Sequence, residues 1–201
     1  MTFFKYGLQE TEYLKKRDRL LGAVIDRMGP LECEVMTDMF SALVFSIVSQ
    51  QISSKAADTV WNRLKDQMGV VRPEQILAAD PNTIQSCGMT FRKAGYIQGI
   101  AEAVICDRID FSALYTLSDH DVIKQLSSLQ GVGRWTAEML LIFTLHRPDV
   151  VSYDDLAIRR AMMKLYGLDS LTRERFQMYR RRYSPYGSVA SLYLWELSLE
   201  S

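Results

Sequence analysis

Metal- and thiol-bearing side chains are scarce in this 201-residue chain, which has two histidines and three cysteines. His120 and His146 stand apart from any evident ligand partner, which suits surface or internally satisfied positions better than coordination. Cys33, Cys87 and Cys106 are an odd, widely spaced set that builds neither a disulfide framework nor a paired-ligand zinc site. Buried free thiols are the expectation for all three. Long apolar runs are missing too: stretches such as Ala42–Val48 are far too short to span a bilayer, so no membrane role is expected. The N-terminus carries Glu10 and Glu12 and no apolar stretch ending in a cleavage site, which points to a protein inside the cell. Charge of one sign is also lacking. With 24 basic and 24 acidic residues the net charge is zero, which excludes a protein that grips nucleic acid by electrostatics alone. No segment alternates with a period of two between hairpin turns, so no sheet is expected. Long linkers, low-complexity tracts and repeats are likewise missing.

What the chain has in abundance is helical periodicity. Apolar residues recur at three- and four-residue spacing in Tyr13–Met28, Phe40–Val48, Ala56–Met68, Phe91–Val104 and Trp135–Leu145. Start signals are Asp80 before Pro81, Thr90 before Phe91, Ser118 with Asp121, and Ser184 before Pro185. Gly69, Gly88 and Gly167 follow periodic stretches as stops. About ten short helices with brief loops make an all-α protein. Charge is uneven along it: from Arg159 onward eight basic residues face four acids. Such a basic third suits a phosphate backbone or a plain solvated face.

Two segments carry chemistry. In Ser128-Leu129-Gln130-Gly131-Val132-Gly133-Arg134-Trp135-Thr136-Ala137, two glycines one residue apart sit between amphipathic helices. They let the backbone turn sharply and approach a ligand without a Cβ in the way. The following helix would begin with its N–H groups aimed outward, as a phosphate oxygen requires. A tight connection between packed helices would use the same glycines. Twenty positions after Trp135, Asp154 and Asp155 open a helix that runs to Tyr166. Acids at a helix start are favoured by the dipole and serve as caps. One of the pair suffices for capping, which leaves the other for a cleft.

Together these residues resemble the helix-hairpin-helix (HhH-GPD) DNA glycosylase superfamily, and most closely its DNA-3-methyladenine glycosylase II (AlkA-like) group. Gly131 to Ala137 match that group's Gly-hydrophobic-Gly-Arg-Trp-Thr-Ala hairpin, and Asp154-Asp155 its Asp pair. Pro185-Tyr186-Gly187-Ser188-Val189-Ala190 with Trp195 resemble its C-terminal segment. Ile47-Val48-Ser49-Gln50-Gln51-Ile52-Ser53 resembles the loop that pushes a wedge into the duplex. The likeness spans about Asp38 to Trp195. Gln130 and Tyr153 depart from it, each standing where relatives often carry proline.

The resemblance implies a two-lobed helical bundle with a helix-hairpin-helix motif and a cleft between lobes. One lobe would cover about residues 35–150, including the hairpin at 121–145, and the other the N-terminal helix plus about 151–201. It makes Asp155 the catalytic carboxylate and places Trp135, Trp195 and Tyr153 in the substrate pocket. Trp61, without a family counterpart, is left to the core. Gln51 would fill the stack, while Gly131, Val132, Gly133, Arg134 and Thr136 hold DNA. The carbonyls of Ser127, Leu129 and Val132 are the donors for a structural Na+ or K+, with no cofactor required. Relatives with an iron–sulfur cluster use four C-terminal cysteines, and none follows Cys106 here. Relatives that also cut the backbone use a lysine where this chain has Trp135, so monofunctional chemistry is expected. The implied partner is double-stranded DNA containing a damaged base, bound by a monomer in the cytoplasm or nucleus. An alkylated purine is the first substrate expected. An oxidised or deaminated base, or DNA binding without catalysis, is the alternative.

Overall fold

A computed structural model describes residues 2–200. In chain order the elements are β1 (Thr2–Phe3), α1 (Leu8–Arg17), α2 (Arg19–Met28), β2 (Glu34–Val35), α3 (Met39–Ser49), α4 (Ser54–Met68), α5 (Pro73–Ala78) and α6 (Pro81–Ser86). Then come α7 (Phe91–Ile105), a single 3-10 turn at Ala113–Tyr115, α8 (Asp119–Leu126), α9 (Arg134–Phe143), α10 (Leu156–Tyr166), α11 (Arg173–Tyr183) and α12 (Gly187–Leu199). The chain is therefore all-α, apart from one antiparallel pair of two-residue strands, β1 with β2, which the sequence reading missed. That pair is too short to carry an alternation.

Side-chain caps explain where most helices start. Asp80, Thr90 and Ser118 each accept an N–H of the first turn, as expected from sequence. Two expectations need correction. The periodic stretch Tyr13–Met28 is two helices, because Asp18 leaves helical geometry and its carboxylate accepts the amides of Leu20 and Leu21. Ser184-Pro185 is a connection rather than a start: α12 begins two residues later, and its cap is borrowed from Asp149, whose Oδ1 accepts the Gly187 N–H at 3.1 Å.

The chain divides into two compact units, residues 1–35 with 141–201, and residues 36–140. In the first, α2, α10, α11 and α12 pack around Leu21, Ile158, Met162, Phe176, Tyr183 and Tyr193. Helix α12 is buried nearly all round, from Gly187 to Leu194, so its sequence shows no polar stripe. In the second, α7 is the central rod, touching α3, α5 and α6. Its Ile97 and Ile100 meet a core shared with Leu43, Ile47, Leu64, Ile76 and Ile84. Trp61 is buried there and packs edge-on against Phe45. Of the three cysteines only Cys87 is buried; Cys33 is half-buried and Cys106 exposed, which corrects the expectation of buried thiols. Both histidines are exposed. Among the described residues no helix is long and apolar enough to cross a membrane.

Candidate active site

Each unit organises one part of the chemistry. In the first, an extended link leads to the Asp pair and is laid on the start of α12. The Val150 N–H donates to Ser188 Oγ (3.0 Å), and that hydroxyl donates in turn to the Arg147 carbonyl (2.5 Å). Ser191 Oγ donates to the Val150 carbonyl at 3.0 Å. The Ser184 hydroxyl donates to Asp149 Oδ2, and Arg180 donates to the Asp149 carbonyl (2.8 Å). A Cβ on Gly187 would lie 2.6 Å from Asp149 Oδ1 and 2.8 Å from a Val151 methyl. The small residues of the Gly187–Ser191 stretch are thus the bed for the link, which is why that motif and the Asp pair belong together.

At the end of the link, Asp155 is buried and caps α10. Its Oδ1 accepts the Ile158 N–H at 2.9 Å, and its Oδ2 accepts the indole N–H of Trp195 at 3.2 Å. Trp195 is fixed against Phe143, with ring centroids 5.4 Å apart. Asp154 is exposed and pairs with Arg173 at 3.3 Å. One acid of the pair caps, as expected, and it is the second that does so, one oxygen serving the helix and the other the indole. Tyr153 is held in place: Phe176 lies edge-on to its ring, and the guanidinium groups of Arg173 and Arg159 stand 4.4 and 5.2 Å from the ring centre.

The basic C-terminal third also turns inward more than its charge suggests. Arg159, Lys164, Arg173, Arg180 and Arg182 all make contacts inside the chain. Arg160, Arg175 and Arg181 are exposed.

In the second unit, α8 and α9 flank the glycine hairpin. Gly131 has φ +83°, and a Cβ there would sit 2.4 Å from the ring of Tyr96 on α7. Glycine is required at this position twice over, by conformation and by space. Gly133 has open space where a Cβ would be. The Val132 side chain is buried, and its amide closes the turn on the Leu129 carbonyl (3.2 Å). The Ala137 N–H reaches the Gly133 carbonyl, so the amides of the turn before it stand at the helix's positive end, which favours an anion. The Thr136 side chain, expected among the residues that hold DNA, is buried at 4% exposure. Arg134 is exposed and bonded to Glu138 at 2.8 Å. Trp135 is 43% exposed beside it.

The expected wedge residue, Gln51, is exposed just past α3, with φ 59°. A non-glycine residue in this region is uncommon, and such backbone concentrates at functional sites. Sequence reasoning missed its neighbours. Gln50 Nε2 donates to the Gly131 carbonyl at 2.9 Å, and Lys93 Nζ donates to the carbonyls of Val48 and Gln50 at 2.8 and 2.7 Å. Phe143 was missed as well, for it reads as an ordinary apolar helix residue.

A glycine hairpin opening a helix with a left-handed turn tied to it, and a buried carboxylate at a helix start, are the features that the class must account for. The family model described as HhH-GPD superfamily base excision DNA repair protein matches residues 44–184. The chain belongs to that superfamily.

Its relatives narrow the class further. The chain is 36% identical to DNA-3-methyladenine glycosylase 1 of Schizosaccharomyces pombe, over 79% of this chain and 72% of that one. A crystal structure of a DNA-3-methyladenine glycosidase from Bacillus halodurans has the same fold (TM-score 0.86, 32% identity, 99% of this chain and 93% of that one). So does a 3-methyladenine DNA glycosylase of S. pombe in complex with abasic DNA (TM-score 0.81, 31% identity, 94% and 95% covered).

Proposed function

We propose that the chain is a monofunctional DNA N-glycosylase that flips alkylated purines, of the 3-methyladenine type, out of duplex DNA and hydrolyses their bond to deoxyribose. The observation that carries the reading is the buried carboxylate of Asp155, one oxygen on the Ile158 amide and the other on the Trp195 indole. A carboxylate so fixed would stabilise the positive charge that develops on the sugar as the C1′–N bond breaks, and would orient the attacking water. The base must leave the stack first, at a cost of a few kcal/mol. Gln51 would fill the gap it leaves, and the amides of Gly133 and Arg134 at the start of α9 would take a phosphate oxygen. Alkylation at a ring nitrogen gives the purine a positive charge, and an electron-rich indole prefers such a ring by about 0.5–2 kcal/mol. Trp135 and Trp195 are the indoles for that role, with Tyr153 the third aromatic proposed for the substrate. With tryptophan at position 135 there is no amine there for a Schiff base with the sugar.

A monovalent cation at the hairpin would be held by the carbonyls of Ser127, Leu129 and Val132. The Leu129 oxygen, which accepts the Val132 N–H, has a second lone pair for it. Its contribution would be to add positive charge beside the bound phosphate. The protein would act as a monomer wherever the cell keeps its DNA.

The test is release of free base from methylated duplex DNA by wild type and Asp155→Asn. Release of 3-methyladenine by wild type alone is the expected result. Equal release by both would reject Asp155. Release by neither, followed by release from an oxidised or deaminated duplex, would replace the substrate class.

A further inference from the structure

Helix α3 ends with its carbonyls pointing toward the segment that carries Gln51, and it has no basic residue in its own last turn. The negative end of a helix dipole favours a cation there. The cation comes from another helix: Lys93, in the first turn of α7, reaches across to Val48 and Gln50. Among the described residues no carboxylate pairs with this ammonium, whose pKa is lowered by burial. A half-buried lysine held by two carbonyls forgoes solvation, which a merely solvating side chain would keep. One turn further along α7, Tyr96 fills the space that Gly131 leaves open. Gln50 then closes the figure by donating to the Gly131 carbonyl. Three segments meet here: the wedge turn, the hairpin and the central helix of the unit. Gln51, in its left-handed conformation, sits directly beside the clamped residue.

We propose that Lys93 is a positioning residue that locks the wedge turn to the phosphate-binding hairpin, so that Gln51 enters the base stack in register with the grip on the backbone. The proposal rests on the glycosylase reading for the roles of Gln51 and the hairpin. Lys93 touches neither substrate nor reacting atoms in this account. It acts through the backbone at Gln50, and the hairpin feels it through the Gln50 side chain. Loss of the ammonium would let residues 50–52 leave the strained turn while the helices stay folded.

The experiment compares wild type, Lys93→Met, Gln51→Ala and the double variant, with two readouts. The first is amide hydrogen exchange without DNA. Lys93→Met is expected to speed exchange at residues 49–53 and 129–133 and to leave the middle of α7 protected. Unchanged exchange in either segment overturns the brace, whatever the protein's activity, and a general rise that includes α7 would show mere destabilisation and overturn it too. The second is single-turnover base release from a duplex with the lesion in a normal pair and from one with it in a mismatch. Misplacing the wedge should cut the rate on the paired lesion by roughly 10- to 100-fold and on the mismatch far less. With enzyme at saturation, where a weaker grip at the hairpin no longer limits the rate, the double variant should be no slower than Gln51→Ala, since what remains of both changes acts through the wedge. Multiplying losses, or equal losses on the two duplexes, would overturn the proposal. Failure of wild type to release any base would instead reject the glycosylase reading, and the exchange data would still decide the brace.

Discussion

Asp155 combines two tasks that substitutions can separate. Asparagine caps a helix about as well as aspartate, but its NH2 would face the Trp195 indole N–H that Oδ2 now accepts, so Asp155→Asn should lose base release and some stability while binding to abasic DNA persists. Asp155→Ala loses the cap, and chemical denaturation should show a cost of about 1 kcal/mol beyond that of Asp155→Ser, whose hydroxyl can cap. If Asp155→Ser proves as unstable as Asp155→Ala, the capping account is wrong. Trp195→Phe keeps the ring against Phe143 but removes the donor to Oδ2. Its base release should fall with little change in melting temperature, and activity equal to wild type would show that the indole N–H does not matter. At position 135 the absence of an amine predicts no borohydride-trapped adduct with substrate DNA; a covalent band on a denaturing gel would sink monofunctional chemistry.

Among the elements, the hairpin is intolerant of change at one of its two glycines. Gly131→Ala would place a methyl in the Tyr96 ring at a φ of +83°, a conformation that costs an L-residue roughly 1–2 kcal/mol before any clash. The expected outcome is a drop in stability of at least that size, measured by denaturant unfolding, with weakened binding to abasic duplex. Gly133→Ala meets open space and should cost far less; equal losses for the two would contradict the packing account. The hairpin and the Asp pair were legible in the sequence because their chemistry is local: two glycines, then an acid at a helix start. Gln50, Lys93 and Phe143 were not, since their partners lie 81, 43 to 45, and 52 positions away. Nothing near them in sequence reports a partner at that distance.

For the molecule as a whole, the most telling stabilising feature is the buried Asp18. It caps α2 and accepts the Tyr166 hydroxyl at 2.7 Å and an Arg182 N–H at 3.0 Å. Tyr166 also shares a hydrogen bond with Tyr183 at 2.6 Å. Burial, and for Tyr166 the adjoining Tyr183 and Asp18, pushes both phenols well above the ordinary tyrosine value. The folded state therefore holds protons that the unfolded chain releases. This contribution is complete below about pH 10, the unfolded tyrosine value, and is lost progressively as pH rises beyond it. Melting temperature should thus decline steeply on the alkaline side of about pH 10, and a level profile there would refute the network. Asp18→Ala should cost more than a typical cap, because Arg182 and the Tyr166 phenol lose their acceptor together.

The sequence by itself determined that the chain is helical, where most helices start and stop, and which superfamily it resembles. These follow from periodicity, caps and a hairpin whose residues are neighbours. Tertiary structure decided that Asp18 splits one apparent helix into two, its buried carboxylate capping α2 with one oxygen and meeting Tyr166 and Arg182 with the other. It also decided which acid of the Asp pair is buried, and that much of the basic C-terminal third is spent inside the fold. Burial and pairing are set by what packs against a residue, and sequence spacing carries no record of that.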